Sequence, residues 1–123
     1  SIQVGSTGTP SYTLSIAGAS FLSGAVVHKR LQVSSDYTVL AADYYVGVDT
    51  AANTVKLTLP QASALIGGQT FVVKDEGGVA NINNITISGS GVDVIDGQNE
   101  VILESPYASV QLYCNGVDKY FNC

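Results

Sequence analysis

The sequence predicts an all-β fold, either a compact β-sandwich or a barrel-like domain. Its apolar segments are short and rich in β-branched and aromatic residues, as in residues 71–73 (FVV). Clusters of Gly, Asn, Asp and Ser separate these segments about every eight to twelve residues, which is typical of sandwiches and barrels. No segment has the apolar periodicity of a long helix. About nine or ten strands are expected.

Residues 1–35 are expected to form an N-terminal β-rich arm or docking segment. Residues 2–4 and 12–16 alternate in polarity and predict two short strands with a turn-rich loop between them. Residues 17–24 have the composition of a linker or of a crossing point between subunits. Residues 25–33 predict a strand, because their three valines are β-branched.

Residues 36–123 are expected to form one β domain. The clearest strand is 54–59, where Val and Leu alternate with Thr and Lys. Pro60 ends this strand because proline has no backbone N–H for the sheet, and residues 61–68 allow one helical turn. The next strand leads into a turn at residues 75–78, Asp-Glu-Gly-Gly.

Two segments, residues 71–73 and 101–103, are apolar at consecutive positions, which predicts burial on both faces. A 123-residue domain has difficulty covering both faces of a sheet by itself. Charged residues make up only 12%, about half the usual share, so part of the surface is expected to lie against other subunits. In a closed symmetric assembly, neighbouring subunits would bury the face that a single chain leaves exposed.

Charge and hydropathy argue against two classes of partner. The formal net charge is −5, whereas proteins that bind nucleic acid need clusters of Lys and Arg for the phosphates. No apolar run approaches the roughly 20 residues that cross a bilayer. We therefore expect neither nucleic-acid binding nor membrane insertion.

The residues 57–97 (LTLPQASALIGGQTFVVKDEGGVANINNITISGSGVDVIDG), followed by SVQLYCNGVDKYF, resemble a domain that recurs in tail fibres and spikes of phages and other viruses. In that family a strand ending in LP leads to a K-D-E-G-G turn, an N-N-I-T-I strand, an I-D-G turn and a final hairpin. In the hairpin, Asn115 replaces the family's usual Asp and Tyr120 its usual Trp. The resemblance covers roughly residues 36–122.

The resemblance implies a non-enzymatic structural protein of the virion, a fibre or spike tip that takes part in host attachment. It also implies an intertwined homotrimer, contacts with other virion proteins, and a glycan or protein receptor on the host surface. Two alternatives stay open: a capsid decoration or cementing protein with residues 1–24 as its docking arm, and a glycan-binding module. An enzyme acting on surface polysaccharide is a third class.

Tyrosine is the one residue type that points to a contact surface, because it combines a flat apolar ring with a polar tip. The candidates for receptor contact or a subunit interface are Tyr44, Tyr45, Tyr107 and Tyr120. A strand would direct the adjacent rings of Tyr44 and Tyr45 to opposite faces, so one is expected in the core and the other at a surface.

No catalytic, cofactor or metal site is predicted. Asp75, Asp93 and Asp96 lie in turns, where Asp caps backbone amides, and they lack the loop pattern of a dedicated Ca²⁺ site. His28 is the only candidate base, and no oriented serine accompanies it.

The two cysteines are expected to be free thiols, with a disulfide as the alternative. A hairpin turn at residues 115–118 would place Cys114 opposite Lys119 and Cys123 opposite Val110.

Overall fold

A computed structural model describes residues 14–123, which form ten strands in two sheets and one turn of 3-10 helix. The all-β prediction is confirmed, since the two mixed sheets pack face to face as in a sandwich. The elements are β1 (Arg30–Val33), β2 (Tyr37–Thr38), β3 (Tyr45–Val48), β4 (Val55–Thr58), the 3-10 turn (Ala62–Ala64), β5 (Thr70–Asp75), β6 (Ile85–Ser88), β7 (Val94–Ile95), β8 (Glu100–Leu103), β9 (Ser109–Cys114) and β10 (Lys119–Asn122).

The first six strands alternate between the two sheets. The six-stranded sheet has the order β1-β3-β5-β9-β10-β7, and the four-stranded sheet has the order β2-β4-β6-β8. From β1 to β6 every strand pairing is parallel. Each coil of the chain therefore contributes one strand to each sheet, and successive coils stack on one another. Strands β8 and β9 then pair antiparallel with β6 and β5, which closes one side of the stack.

The core lies between the sheets, where equivalent positions of successive coils stack. Tyr37, Leu57 and Ile87 are aligned across the four-stranded sheet, and Val46 lies beside Val73 in the six-stranded sheet. Val55, Leu57 and Leu59 are buried, which confirms the expected alternation in residues 54–59. The largest fully buried side chains are Tyr120, Phe71, Leu57, Leu59, Ile85, Ile87, Ile95 and Leu112.

Side-chain amides connect the turns of successive coils. The Nδ2 of Asn53 donates to the carbonyl of Ser34 at 3.4 Å, and the Nδ2 of Asn83 donates to the carbonyl of Thr50 at 2.7 Å. In both cases a turn of one coil binds the backbone of the preceding coil. These bonds satisfy turn carbonyls that no strand partner reaches.

The N-terminal strand predictions are largely wrong where they can be compared with the structure. Of residues 25–33 only Arg30–Val33 form a strand, and residues 14–29 contain none. The predicted strand at 2–4 and residues 12–13 of the one at 12–16 lie outside the described residues, and residues 14–16 form no strand. The β-propensity of valine does not produce a strand here, because pairing with the neighbouring strand β3 begins only at Arg30.

The strands that are apolar at consecutive positions are covered on one face within a single chain. In β5 every second residue is buried while Val72 is only partly buried, and in β8 Ile102 remains 45% exposed. Covering of the second face by other subunits stays a prediction.

The C-terminal hairpin is shifted by one residue from its predicted register. Cys114 pairs with Tyr120 and not with Lys119, and the N–H of Cys123 donates to Gln111. The loop spans three residues rather than four, because the N–H of Asn115 already pairs with the carbonyl of Lys119. Both thiols are free, as expected, with Cys114 buried and Cys123 exposed.

Candidate ligand-binding face

The face of the six-stranded sheet that points away from the core carries the candidate site, and we call it the outer face. In β5 and β9 alternate residues are buried, so the residues between them form this face. One row across it is Arg30, Tyr45 and Val72, and the next row is Gln32, Gly47 and Lys74.

A hollow on the outer face is lined by Gly47, which lies on β3, the second strand from the sheet edge. A Cβ at this position would lie only 2.2 Å from the Cδ of Glu76, because the Glu76 carboxylate occupies the space above the glycine. The Oε2 of Glu76 accepts from the Nε of Arg30 at 3.0 Å, and its Oε1 accepts from the Nη2 of Arg30 and from the Nε2 of Gln32, the latter at 3.0 Å. The hydrogen bonds from Arg30 lower the pKa of Glu76 below its usual value.

The hollow has a volume of about 330 Å³. Its charged lining residues are Arg30, Lys74 and Glu76, which sum to +1 in a chain whose net charge is −5. The Nζ of Lys74 donates to the carbonyl of Tyr107 and lies 5.9 Å from the centroid of the Tyr107 ring. The full lining consists of Arg30, Tyr45, Val46, Gly47, Val72, Lys74, Glu76 and Ser109.

An aromatic cluster adjoins the hollow. The rings of His28 and Tyr44 are stacked with centroids 3.9 Å apart, and the ring of Tyr45 meets that of Tyr44 edge to face at 4.8 Å. The expectation that one tyrosine of the pair lies in the core is wrong. Tyr44 is partly buried, Tyr45 is 41% exposed, and both rings lie in this surface cluster. The alternation rule fails because β3 begins at Tyr45.

A buried carboxylate holds the segment before β1 against this cluster. Asp43 accepts hydrogen bonds from the Nζ of Lys29 at 2.9 Å, the hydroxyl of Tyr37 at 2.6 Å and the N–H of Leu40 at 2.9 Å. Burial alone would raise the pKa of Asp43, but these hydrogen bonds lower it below its usual value. Burial and the bond to Asp43 raise the pKa of Tyr37 to about 12. Because Lys29 follows His28 directly, this network positions His28 beside Tyr44.

The other two tyrosine candidates have different environments. Tyr107 is 59% exposed and lies next to Lys74, at the margin of the outer face. Tyr120 is fully buried, and its hydroxyl donates to the carbonyl of Pro60 at 2.6 Å. The assignment of Tyr120 as a contact residue is therefore corrected: β10 directs this ring into the core, where burial raises its pKa.

The predicted role of the turn aspartates as caps is confirmed. Asp75 is buried and its two oxygens accept four hydrogen bonds, from the Thr50 hydroxyl and from the N–H groups of Gly78, Ala80 and Tyr107. Asp93 accepts from the N–H of Ala62, and Asp96 accepts from that of Asn122. In residues 14–123 no three or more His, Cys, Asp or Glu side chains are grouped to hold a metal ion.

Sequence reasoning missed the centre of this site. Arg30 and Glu76 are 46 residues apart, and neither lies in a recognisable motif. The adjacent cations Lys29 and Arg30 form ion pairs with two different loops, Lys29 with Asp43 and Arg30 with Glu76. The one local signal for this site is Gly47, since a glycine inside a strand often marks a position that other atoms approach closely.

The fold and the outer face define an all-β protein of two packed mixed sheets with an aromatic and polar surface on the larger sheet. No protein-family model matches the chain, and no curated protein matches it significantly. None of the helical structure in residues 14–123 has the length and apolar character of a membrane span.

Proposed function

We propose that this chain is a non-enzymatic structural protein of a virion, a fibre or spike tip that attaches the particle to a host surface. The resemblance of residues 36–122 to fibre and spike domains supplies the class. The observation that supports attachment most directly is the outer face, where His28, Tyr44 and Tyr45 adjoin the hollow at Gly47.

Aromatic rings beside fixed polar groups suit the binding of sugar rings. Tyr45 offers an exposed flat ring, and Arg30, Gln32 and Glu76 hold one another in place by hydrogen bonds. Sites built on strands keep more precise geometry than sites built on loops. The outer face is therefore our candidate for contact with a host glycan or glycoprotein.

Attachment would gain from assembly as a homotrimer. Three copies of the outer face on one particle would turn weak single-site contacts into stable adhesion. The partly buried Val72 and the exposed Ile102 provide apolar surface for contacts with other subunits or other virion proteins.

The test is binding of fluorescent protein to intact host cells and to an array of host glycans. We expect Tyr45→Ala to weaken binding at least about tenfold, since aromatic anchors carry most of the energy of such contacts. Val117→Ala is the matched control, because Val117 is 64% exposed and does not line the hollow. Equal binding by both variants and the wild type would contradict a role for the outer face.

A capsid decoration protein is the second candidate function, and the exposed N-terminal segment favours it. Phe21 and Val27 are 90% and 92% exposed in a stretch that has no strand. Side chains this exposed are available for contact with a capsid surface. Under this alternative, changing Phe21 and Val27 to Ser abolishes binding to capsids, and the wild-type protein binds capsids but not cells.

A further inference from the structure

We propose that the hollow at Gly47 binds a carboxylated sugar, with Lys74 as the partner of the carboxylate and Tyr45 as the platform for the ring. This inference rests on the proposed attachment function and names the ligand class of the same site.

The charge around the hollow favours an anion. The charge of Arg30 is balanced by Glu76, which accepts both of its hydrogen bonds. Lys74 has no such partner: the ion pairs of residues 14–123 are Lys29 with Asp43 and Arg30 with Glu76. Its ammonium group has three donors, of which the carbonyl of Tyr107 takes one. Hydrogen bonds from an ammonium to an anion such as a carboxylate are roughly twice as strong as those between neutral groups.

The ligand is expected to carry one isolated anionic group and not a run of them. The chain's net charge of −5 repels polyanions, whereas the +1 of the hollow's lining attracts a single carboxylate. This balance excludes a nucleic-acid backbone and favours an acidic sugar unit within a largely neutral glycan.

The shape and the remaining polar groups fit one sugar ring. A volume of about 330 Å³ is near the lower end for small-molecule sites, so it fits a single unit better than an extended chain. Gly47 adds no side chain to the hollow, and Tyr45, two residues before it on β3, lies on the same face of the sheet. Ser109 faces Lys74 across β5 and β9, where its hydroxyl provides another partner for sugar hydroxyls.

The experiment compares sugars that differ only in the carboxylate. Methyl β-glucuronide and methyl β-glucoside form one pair, and methyl α-galacturonide and methyl α-galactoside form a second. Binding is followed by the NMR shifts of the backbone amides of Gly47 and Ser109. At least one acidic sugar should bind about fivefold or more tightly than its neutral partner, and added salt should reduce the difference.

Two lysine variants assign the effect to the site. Lys74→Gln should abolish the preference for the acidic sugar while retaining the binding of the neutral one. Lys56→Gln removes the same charge from an exposed position on the four-stranded sheet and should leave the preference unchanged. An unchanged amide spectrum away from Lys74 confirms that the variant is folded.

The other outcomes overturn the inference and separate it from the proposed function. Equal binding of acidic and neutral sugars, or a preference that survives Lys74→Gln, refutes the carboxylate site and leaves attachment standing. If none of the four sugars shifts Gly47 or Ser109, the hollow is not a sugar site. Binding of the wild-type protein to host cells then decides the attachment function independently.

Discussion

At the residue scale, the side chain of Asp75 accepts four hydrogen bonds, more than any other side chain in residues 14–123. Its two oxygens accept from the Thr50 hydroxyl and from three backbone N–H groups that belong to two separate loops. One of those groups is the N–H of Tyr107, a residue with φ of 60°. The carboxylate therefore connects the Asp75 turn to the loop that carries Tyr107 and, through the Tyr107 carbonyl, to Lys74.

Asp75→Asn is expected to lower the free energy of unfolding by roughly 2–4 kcal/mol, since each buried donor left without an acceptor costs about 1–3 kcal/mol. The amide is the same size, but its NH₂ group would face two of the four donors. Urea denaturation measures the loss. Asp49→Asn is the control, because Asp49 accepts one exposed backbone bond, and its effect should stay below about 1 kcal/mol. Equal stability of the two variants would show that Asp75 is dispensable.

The carboxylates also predict a loss of stability in acid. The pKa values of Asp43, Asp75 and Glu76 are lower in the folded chain than their usual values. Each depressed pKa contributes stability that is present above the unfolded-state pKa, about 4, and is lost as the pH falls through the folded-state pKa. The urea midpoint should therefore be flat near neutrality and fall below about pH 4. A midpoint that rises on acidification would contradict the assigned directions.

The raised pKa of Tyr37 predicts a loss of stability at high pH. Its pKa is raised from 10.0 to about 12, first by burial and then by Asp43. A raised pKa contributes stability that is present below the unfolded-state value and is lost as the pH rises through the folded-state value. Tyr37→Phe should therefore reduce the loss of stability between about pH 10 and 12, leaving the part that the raised pKa of Tyr120 contributes. The loss of stability in acid should become smaller but persist, because Asp43 loses one hydrogen bond while Asp75 and Glu76 keep theirs.

At the element scale, β3 depends on having no side chain at one position. Gly47 lies between Gln32 of β1 and Lys74 of β5, and the Glu76 carboxylate fills the space above it. The edge strand β1 is thus bound to the sheet by its backbone ladder with β3 and also by the bonds from Arg30 and Gln32 to Glu76.

Gly47→Ala should displace the Glu76 carboxylate and release Arg30 while leaving the fold intact. Glu76 is a flexible side chain that can move, and partly exposed ion pairs contribute no more than about 1 kcal/mol. The expected result is a rise of the Glu76 pKa toward its usual value, measured by NMR titration of the side-chain carboxyl. Gly24→Ala is the control, because a Cβ there meets nothing within 4 Å. An unchanged Glu76 pKa would contradict the role assigned to Gly47.

At the scale of the whole molecule, stacked coils leave large outer faces that the chain does not cover by itself. Strands β1 and β2 lie at the edges of their sheets, and the segment before them keeps Phe21 and Val27 exposed. Unpaired edges and exposed apolar side chains favour association.

Light scattering coupled to size exclusion tests the predicted homotrimer. We expect a particle near three times the chain mass of 12.7 kDa that resists mild denaturation. The control is the same measurement over a range of protein concentration, since a closed assembly keeps its mass where a weak association does not. A stable monomer would refute the trimer and would favour a self-contained decoration or glycan-binding module.

The sequence by itself determined the all-β class, the alternation along β4, and the capping role of Asp75. These features depend on neighbours in the chain, where period-2 polarity and turn chemistry act. Only the tertiary structure decided which strands pair. Tyr37, Leu57 and Ile87 stack although the segments between them differ in length, so no repeat of fixed period is visible. The charged lining of the hollow at Gly47 is likewise assembled only by the fold, since Glu76 bonds to Arg30 across 46 residues, a contact that no local pattern records.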